Sequence, residues 1–141
     1  MRRQPAGKVE QMNEILFKND SHREFYLRHT VNGSDVYLRT LVYLLGLTAE
    51  TRVNFSQCFN AKSRMIKPEA LSEGWQTGST GRIVRMAFNL WNGWHYETPE
   101  DADVGRVSAA CTPDELFCCE FAPFFFEAIK LRYPEYTGSS R

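Results

Sequence analysis

The segment Gly74–Asn92, Gly-Trp-Gln-Thr-Gly-Ser-Thr-Gly-Arg-Ile-Val-Arg-Met-Ala-Phe-Asn-Leu-Trp-Asn, constrains this chain more than any other. A glycine-rich turn runs directly into an amphipathic stretch. Ile83, Met86, Ala87, Leu90 and Trp91 fall at i, i+3, i+4, i+7 and i+8, the apolar stripe of a helix that faces a core. Burying Ile83, Met86, Leu90 and Trp91 contributes roughly 6–12 kcal/mol before conformational entropy is set against it. Arg82, Arg85, Asn89 and Asn92 form a second stripe, rich in hydrogen-bonding groups, on the other side. The pattern predicts a helix over 81–92, capped by Ser79 or Thr80 and ended by Gly93.

With 141 residues the chain is long enough to bury a core as one domain. Ten Phe, six Tyr and three Trp argue against disorder between residues 15 and 136. Formal net charge is zero, which argues against a dedicated duplex-DNA binder. The charge is uneven along the chain: residues 1–71 hold 11 Lys/Arg against 7 Asp/Glu, and residues 72–141 hold 6 against 10. No apolar run approaches the roughly 20 residues of a membrane span, and no apolar stretch follows Met1-Arg2-Arg3 as in a signal peptide. The four cysteines, 58, 111, 118 and 119, form no C-x-x-C pair and read as reduced thiols of a cytoplasmic protein.

The remaining punctuation is helical. Residues 1–13 read as a flexible polar extension and 137–141 as a tail, leaving a single helical domain over 14–136. Ser21 and Glu24 form a capping box for a helix from His22 to about Val31, ended by Asn32-Gly33. Ser34 caps a second helix, Asp35 to Leu45, so evenly apolar that it reads as the central buried one, with Gly46 at its end. Thr48 caps a third from Ala49 to about Phe59, with Val53 and Phe55 packing. Pro68 opens a short helix through Ser72. Residues 94–111 carry no defensible period, and the acidic Glu97–Asp103 stretch reads as an exposed loop. Thr112-Pro113-Asp114-Glu115 starts a short helix ending near Cys118. Pro123 opens the last helix, whose Phe124, Phe125, Phe126, Ala128, Ile129 and Leu131 imply burial nearly all round; Pro134 ends it. The expected fold is a compact all-α orthogonal or antiparallel bundle of about six or seven helices, centred on 35–45, 82–92 and 124–132, with no convincing strand.

Three blocks carry a family likeness. They are Ile66-Lys67-Pro68-Glu69 with Gly74-Trp75-Gln76-Thr77; Arg85-Met86-Ala87-Phe88-Asn89-Leu90-Trp91-Asn92; and Ala122 to Tyr136, APFFFEAIKLRYPEY. In these the chain resembles a small family of uncharacterised Gram-positive bacterial proteins, catalogued as a domain of unknown function and often found near mobile genetic elements. The resemblance spans about Ile15 to Tyr136. It implies a bacterial cytoplasmic setting and an accessory gene, and it brings no chemistry with it.

The candidate ligand- or partner-binding residues are Trp75, Gln76, Thr77, Arg82, Arg85, Asn89 and Asn92, a polar face with an aromatic wall. The turn Gly74–Gly81 offers backbone donors at a helix N-terminus, an arrangement suited to an anion, but it lacks the Lys-Ser/Thr of a P-loop. His22, His29 and His95 sit in no catalytic motif. His95 with Cys111, Cys118 and Cys119 lacks zinc-ligand spacing, so no metal and no cofactor is expected. Glu127 is expected to pair with Lys130 or to serve the helix dipole. Lys62, Arg64 and Lys67, with Arg82, Arg85 and Trp75, sketch a basic patch. The leading expectation is a non-enzymatic binding or regulatory protein with a protein partner, working through the Arg/Asn face. The alternatives are nucleic-acid binding through the basic patch, or a small-molecule or phosphate-binding enzyme at the Gly74–Gly81 turn.

Overall fold

A computed structural model describes residues 15–31 and 33–138; the expected N-terminal extension, Asn32 and the end of the expected tail lie outside these. The described chain is mostly helical. Its elements are α1 (Asp20–His29), α2 (Val36–Leu45), α3 (Ala49–Val53), α4 (Phe55–Cys58), β1 (Phe59–Asn60), β2 (Met65–Ile66), a 3-10 turn (Pro68–Ser72), α5 (Gly78–Asn92), α6 (Pro99–Asp103), a second 3-10 turn (Ala109–Cys111), α7 (Pro113–Leu116), α8 (Ala122–Arg132) and α9 (Pro134–Thr137). Among the described residues no helix is long and apolar enough to cross a membrane.

The hub is α2. Leu41, Val42, Tyr43, Leu44 and Leu45 are all buried, so no side of its second half faces water. It packs along both α5 and α8, and α1 lies against it as well. This is the centre the sequence predicts. Two details of burial differ from it. In α5, Val84 and Phe88 join the apolar stripe, leaving only a narrow polar edge. In α8, only Phe125 and Ala128 are buried, and Phe126 is exposed; this helix covers the core from outside and is not enclosed by it.

Several helices are capped at positions other than those expected, two upstream and one downstream. Asn19, not Ser21, caps α1, its Oδ1 accepting from His22 N–H at 2.9 Å. Asp35, not Ser34, caps α2 through Leu38 N–H. Thr77, not Ser79 or Thr80, caps α5; its hydroxyl takes Thr80 N–H while the Thr80 hydroxyl takes Thr77 N–H. Each cap is a Ser/Thr/Asn/Asp choice among adjacent candidates, and the direction of chain entry selects one. Thr48 caps α3 as predicted. The helix it starts breaks at Asn54, and Val53 is left exposed. Phe59–Asn60 and Met65–Ile66 then pair as a short antiparallel hairpin, an element the helical reading omits. The acidic stretch expected as loop contains α6, capped by Thr98. Thr112 makes no capping hydrogen bond, and α7 ends at Leu116. Pro134 follows the end of α8 and also starts α9, which includes Thr137 from the expected tail.

Residues 15–19 are bound to this core by polar contacts. Leu16 N–H donates to Glu127 Oε2 at 3.1 Å, so Glu127 serves this segment and not Lys130. Tyr43 Oη donates to Leu16 O at 2.5 Å. Lys18 N–H donates to His22 Nδ1 at 3.0 Å, and His22 Nε2 lies 2.7 Å from Tyr43 O. A carbonyl can only accept and an amide N–H can only donate, so His22 is the neutral Nε2–H tautomer. Its ring is fully buried and packs against Phe17 and Tyr43. Burial pushes the imidazole down to about 4, against the raising effect of the Tyr43 carbonyl.

Gly46 closes α2 with an ordinary backbone (φ −83°), so its need is for space. A Cβ there would lie 2.9 Å from Phe25 Cδ2, 3.0 Å from His22 Cδ2 and 3.1 Å from Val42 O. Gly46→Ala is therefore expected to cost about 1–3 kcal/mol, read as a lowered urea midpoint, despite alanine's better helix propensity. The low His22 value makes a second prediction. The unfolded chain takes up a proton near 6.5 while the folded chain resists until about 4. This contribution is present in full above pH 6.5 and is lost as pH falls toward 4. Between pH 7.5 and 5 the loss is on the order of 2 kcal/mol, and His22→Gln should flatten that slope in paired urea titrations.

Candidate functional site

The polar stripe of α5 lies under a strap formed by residues 93–112. Gly93 turns the chain in the left-handed conformation (φ 81°), the usual glycine position after a helix. The strap then returns along α5, and its second 3-10 turn packs against that helix. Arg85 forms a two-pronged ion pair with Glu97, Nη2 to Oε1 at 2.8 Å and Nε to Oε2 at 3.2 Å. The Ser108 hydroxyl donates to the same Glu97 Oε2, joining both ends of the strap to one carboxylate. Asn89 Nδ2 donates to Trp94 O, and Asn92 Oδ1 accepts from Trp94 N–H. Arg82 Nε donates to Glu115 O at 2.9 Å, tying α7 to α5.

The other predicted site residues also find partners in their own chain. Trp75 Nε1 donates to Glu73 Oε1. Gln76 bridges, with Nε2 donating to Ala70 O and Oε1 accepting from the Thr80 hydroxyl. Thr77 is the cap described above. The structure thus brings Arg82, Arg85, Asn89 and Asn92 onto one edge, and Trp75, Gln76 and Thr77 at its upstream end. Each of the seven gives at least one polar atom to an adjacent segment, while Arg82 Nη1 and Nη2 and Asn92 Nδ2 make no hydrogen bond to the described residues.

The residue types with catalytic chemistry near this edge are similarly engaged. Glu97 is held below the usual carboxylate range, first by its hydrogen bond from Arg85, and then by that from Ser108 against the opposing effect of burial. An ionised carboxylate already paired with a guanidinium is a poor general base for Ser108. The Ser108 oxygen also accepts Ala110 N–H. Burial raises the Cys111 thiol, which keeps it protonated and unreactive at neutral pH. Burial also pushes Cys58 up to about 12. Among the described residues no three His, Cys, Asp or Glu are grouped to hold a metal ion, and the four cysteines are free thiols.

A second surface, not anticipated as a unit, runs across the ends of the three central helices. Arg64 Cζ lies 5.0 Å from the ring of Trp91. Trp91 meets Tyr37 edge-on at 6.0 Å. Arg132 Cζ lies 4.0 Å from the Tyr37 ring and 4.5 Å from Tyr133, whose ring is 6.4 Å from that of Tyr136. Guanidinium and ring succeed one another along a continuous row. Tyr37 is 40% exposed and Tyr136 83%. Arg132 Nε donates to Leu90 O near the C-terminal end of α5, and Arg64 Nη2 pairs with Asp35 at 2.8 Å. The remaining guanidinium nitrogens of both make no hydrogen bond to the described residues. Such pairs are attractive because the ring face is electron-rich.

Arg64 sits in this row through a strained turn. The Asn60 carboxamide accepts Lys62 and Ser63 N–H and curls the hairpin loop, and Arg64 follows with φ 58°. Glycine is the default there; a side chain costs about 1 kcal/mol. The basic residues Lys62, Arg64 and Lys67 are legible in the sequence, but the aromatic neighbour of Arg64 is Trp91 and not Trp75. The signal that marks the rest is Tyr37, a ring with a polar tip near the start of α2 that stays 40% exposed while Tyr43 of the same helix is buried.

Arg85 and Glu97 should couple on the order of 1 kcal/mol in a double-mutant cycle of Arg85→Ala and Glu97→Ala measured by urea unfolding, since both are partly shielded from water. Gly81→Ala places a Cβ 2.8 Å from Arg85 Nη1 and displaces the guanidinium. Its cost should fall well short of additive with that of Arg85→Ala.

A family model described as a family of unknown function, DUF6075, matches residues 12–141. No curated protein and no solved structure matches the chain.

Proposed function

The chain belongs to that family of unknown function, DUF6075, and we propose that it is a non-enzymatic binding protein that recognises its partner through the arginine–aromatic row. The observation that carries this reading is the contrast between two surfaces. The Arg/Asn edge of α5 uses its polar groups on the strap, on α7 and on the turn before it. What the row has and that edge lacks is large exposed rings, Tyr37 and Tyr136, set against guanidinium groups. Exposed aromatic and arginine side chains are the groups that dominate recognition surfaces. We further propose, from the resemblance of its sequence blocks alone, an accessory role in the cytoplasm of Gram-positive bacteria near mobile elements.

The three tryptophans allow a direct test. Trp91 belongs to the row, while Trp75 and Trp94 flank the Arg/Asn edge. In protein labelled with fluorotryptophan, 19F spectra are followed during titration with a single-stranded oligonucleotide, an acidic peptide, a nucleoside triphosphate and inorganic polyphosphate. At least one should shift the Trp91 resonance and leave those of Trp75 and Trp94 in place. A panel that moves no resonance overturns the reading. A response confined to Trp75 and Trp94 overturns it too, and returns recognition to the Arg/Asn edge.

A further inference from the structure

We propose that the arginine–aromatic row is a binding track for single-stranded nucleic acid, an inference that rests on the row being the recognition surface. Single strands are held by two kinds of contact, π-faces or guanidinium planes against the bases and cations against the backbone. The row supplies both, two guanidinium groups, Arg64 and Arg132, each followed by two rings, Trp91 and Tyr37, then Tyr133 and Tyr136.

The exposed faces also select the strand state. Tyr37 and Tyr136 are 40% and 83% exposed, so they can stack on a base that offers its own face. Bases in a duplex are covered by their neighbours, and only a single strand offers such faces without melting. Arg64 lies over Trp91 with its side chain 45% exposed, and Tyr136 stands as an open ring at the far end. Lys62, exposed in the hairpin loop, adds a charge beside Arg64.

The charges opposing this are Asp35, paired with Arg64, and Glu135, exposed beside Tyr136. They set a modest net positive charge for the row. Stacking therefore carries more of the binding than counterion release, and the salt dependence is shallow. An acidic peptide would need the reverse, a surplus of uncompensated cations.

The test uses the full chain and labelled oligothymidylate and oligouridylate of about a dozen nucleotides, read by fluorescence anisotropy at about 50 mM and 200 mM salt. Both strands should bind, with a matched duplex bound at least about tenfold more weakly. Tyr136→Ala and Arg64→Gln, both at exposed side chains, should each weaken binding about tenfold, and Tyr136→Phe should retain it. Arg64→Gln should also lower the salt slope by about 0.7. The ratio between the two strands identifies DNA or RNA as the ligand. Absence of binding by either strand at the lower salt overturns the proposal, as does binding that both substitutions leave unchanged. If the acidic peptide shifts Trp91 in the 19F titration and neither oligonucleotide binds, this inference fails and the row stands as a protein-recognition surface. If nothing shifts Trp91, both fail.

Discussion

The rest of the structure depends on enclosing a helix that has no polar side over its second half. Leu41 to Leu45 are all buried, so α2 is stable only with neighbours around it. α5 and α8 supply two of those neighbours and α1 a third, and Phe17 from the segment ahead of α1 packs on Tyr43. Enclosure creates its own difficulty, because polar atoms at the ends of a buried helix must still be bonded. The neutral His22 ring serves the Tyr43 carbonyl and the Lys18 amide at once, and the Tyr43 hydroxyl serves Leu16. A charged imidazole at that position would be both desolvated and mismatched to the Lys18 amide, which accounts for its low basicity.

The two polar surfaces follow from how the chain surrounds this hub. After α5 the chain travels from Gly93 to α7 back along the polar edge of α5. That edge carries arginine and asparagine because the strap presents carbonyls, amides and one carboxylate to it. Glu97 is the common point, reached by Arg85 from below and Ser108 from across the strap. The opposite situation holds where the helix ends converge. There Arg132 lies between Tyr37 and Tyr133 and reaches Leu90 O, joining the start of α2 to the ends of α5 and α8. The same group fastens the fold and presents a surface of stacked cation and ring.

Much of the fold is legible in the sequence because burial and periodicity are local. The stripe Ile83–Trp91, the aliphatic run of α2 and the proline starts of Pro68, Pro113 and Pro123 all mark elements that form. Cap positions are less legible: Asn19, Asp35 and Thr77 compete with neighbours of equal capping chemistry, and the path of the incoming chain decides. The hairpin at Phe59–Ile66 escapes notice because two residues per strand give no period to detect. The misreading of α8 has a similar origin. Three consecutive phenylalanines suggest enclosure, yet on a helix they point in three directions: Phe125 is buried, Phe124 is half-buried against the core, and Phe126 is exposed.

The sequence by itself determined a mostly helical chain with α2 as its buried member, because hydrophobic patterning acts within a few turns of helix. It also marked Arg82, Arg85, Asn89 and Asn92 as a set, since side chains on one helix edge share a surface wherever that helix goes. Tertiary structure alone decided what those side chains meet. Hydrogen-bond partners 33 residues apart, as with Arg82 and Glu115, leave no periodic trace. The row from Arg64 to Tyr136 was decided in the same way: its cations and rings come from separate segments, and only packing sets them side by side.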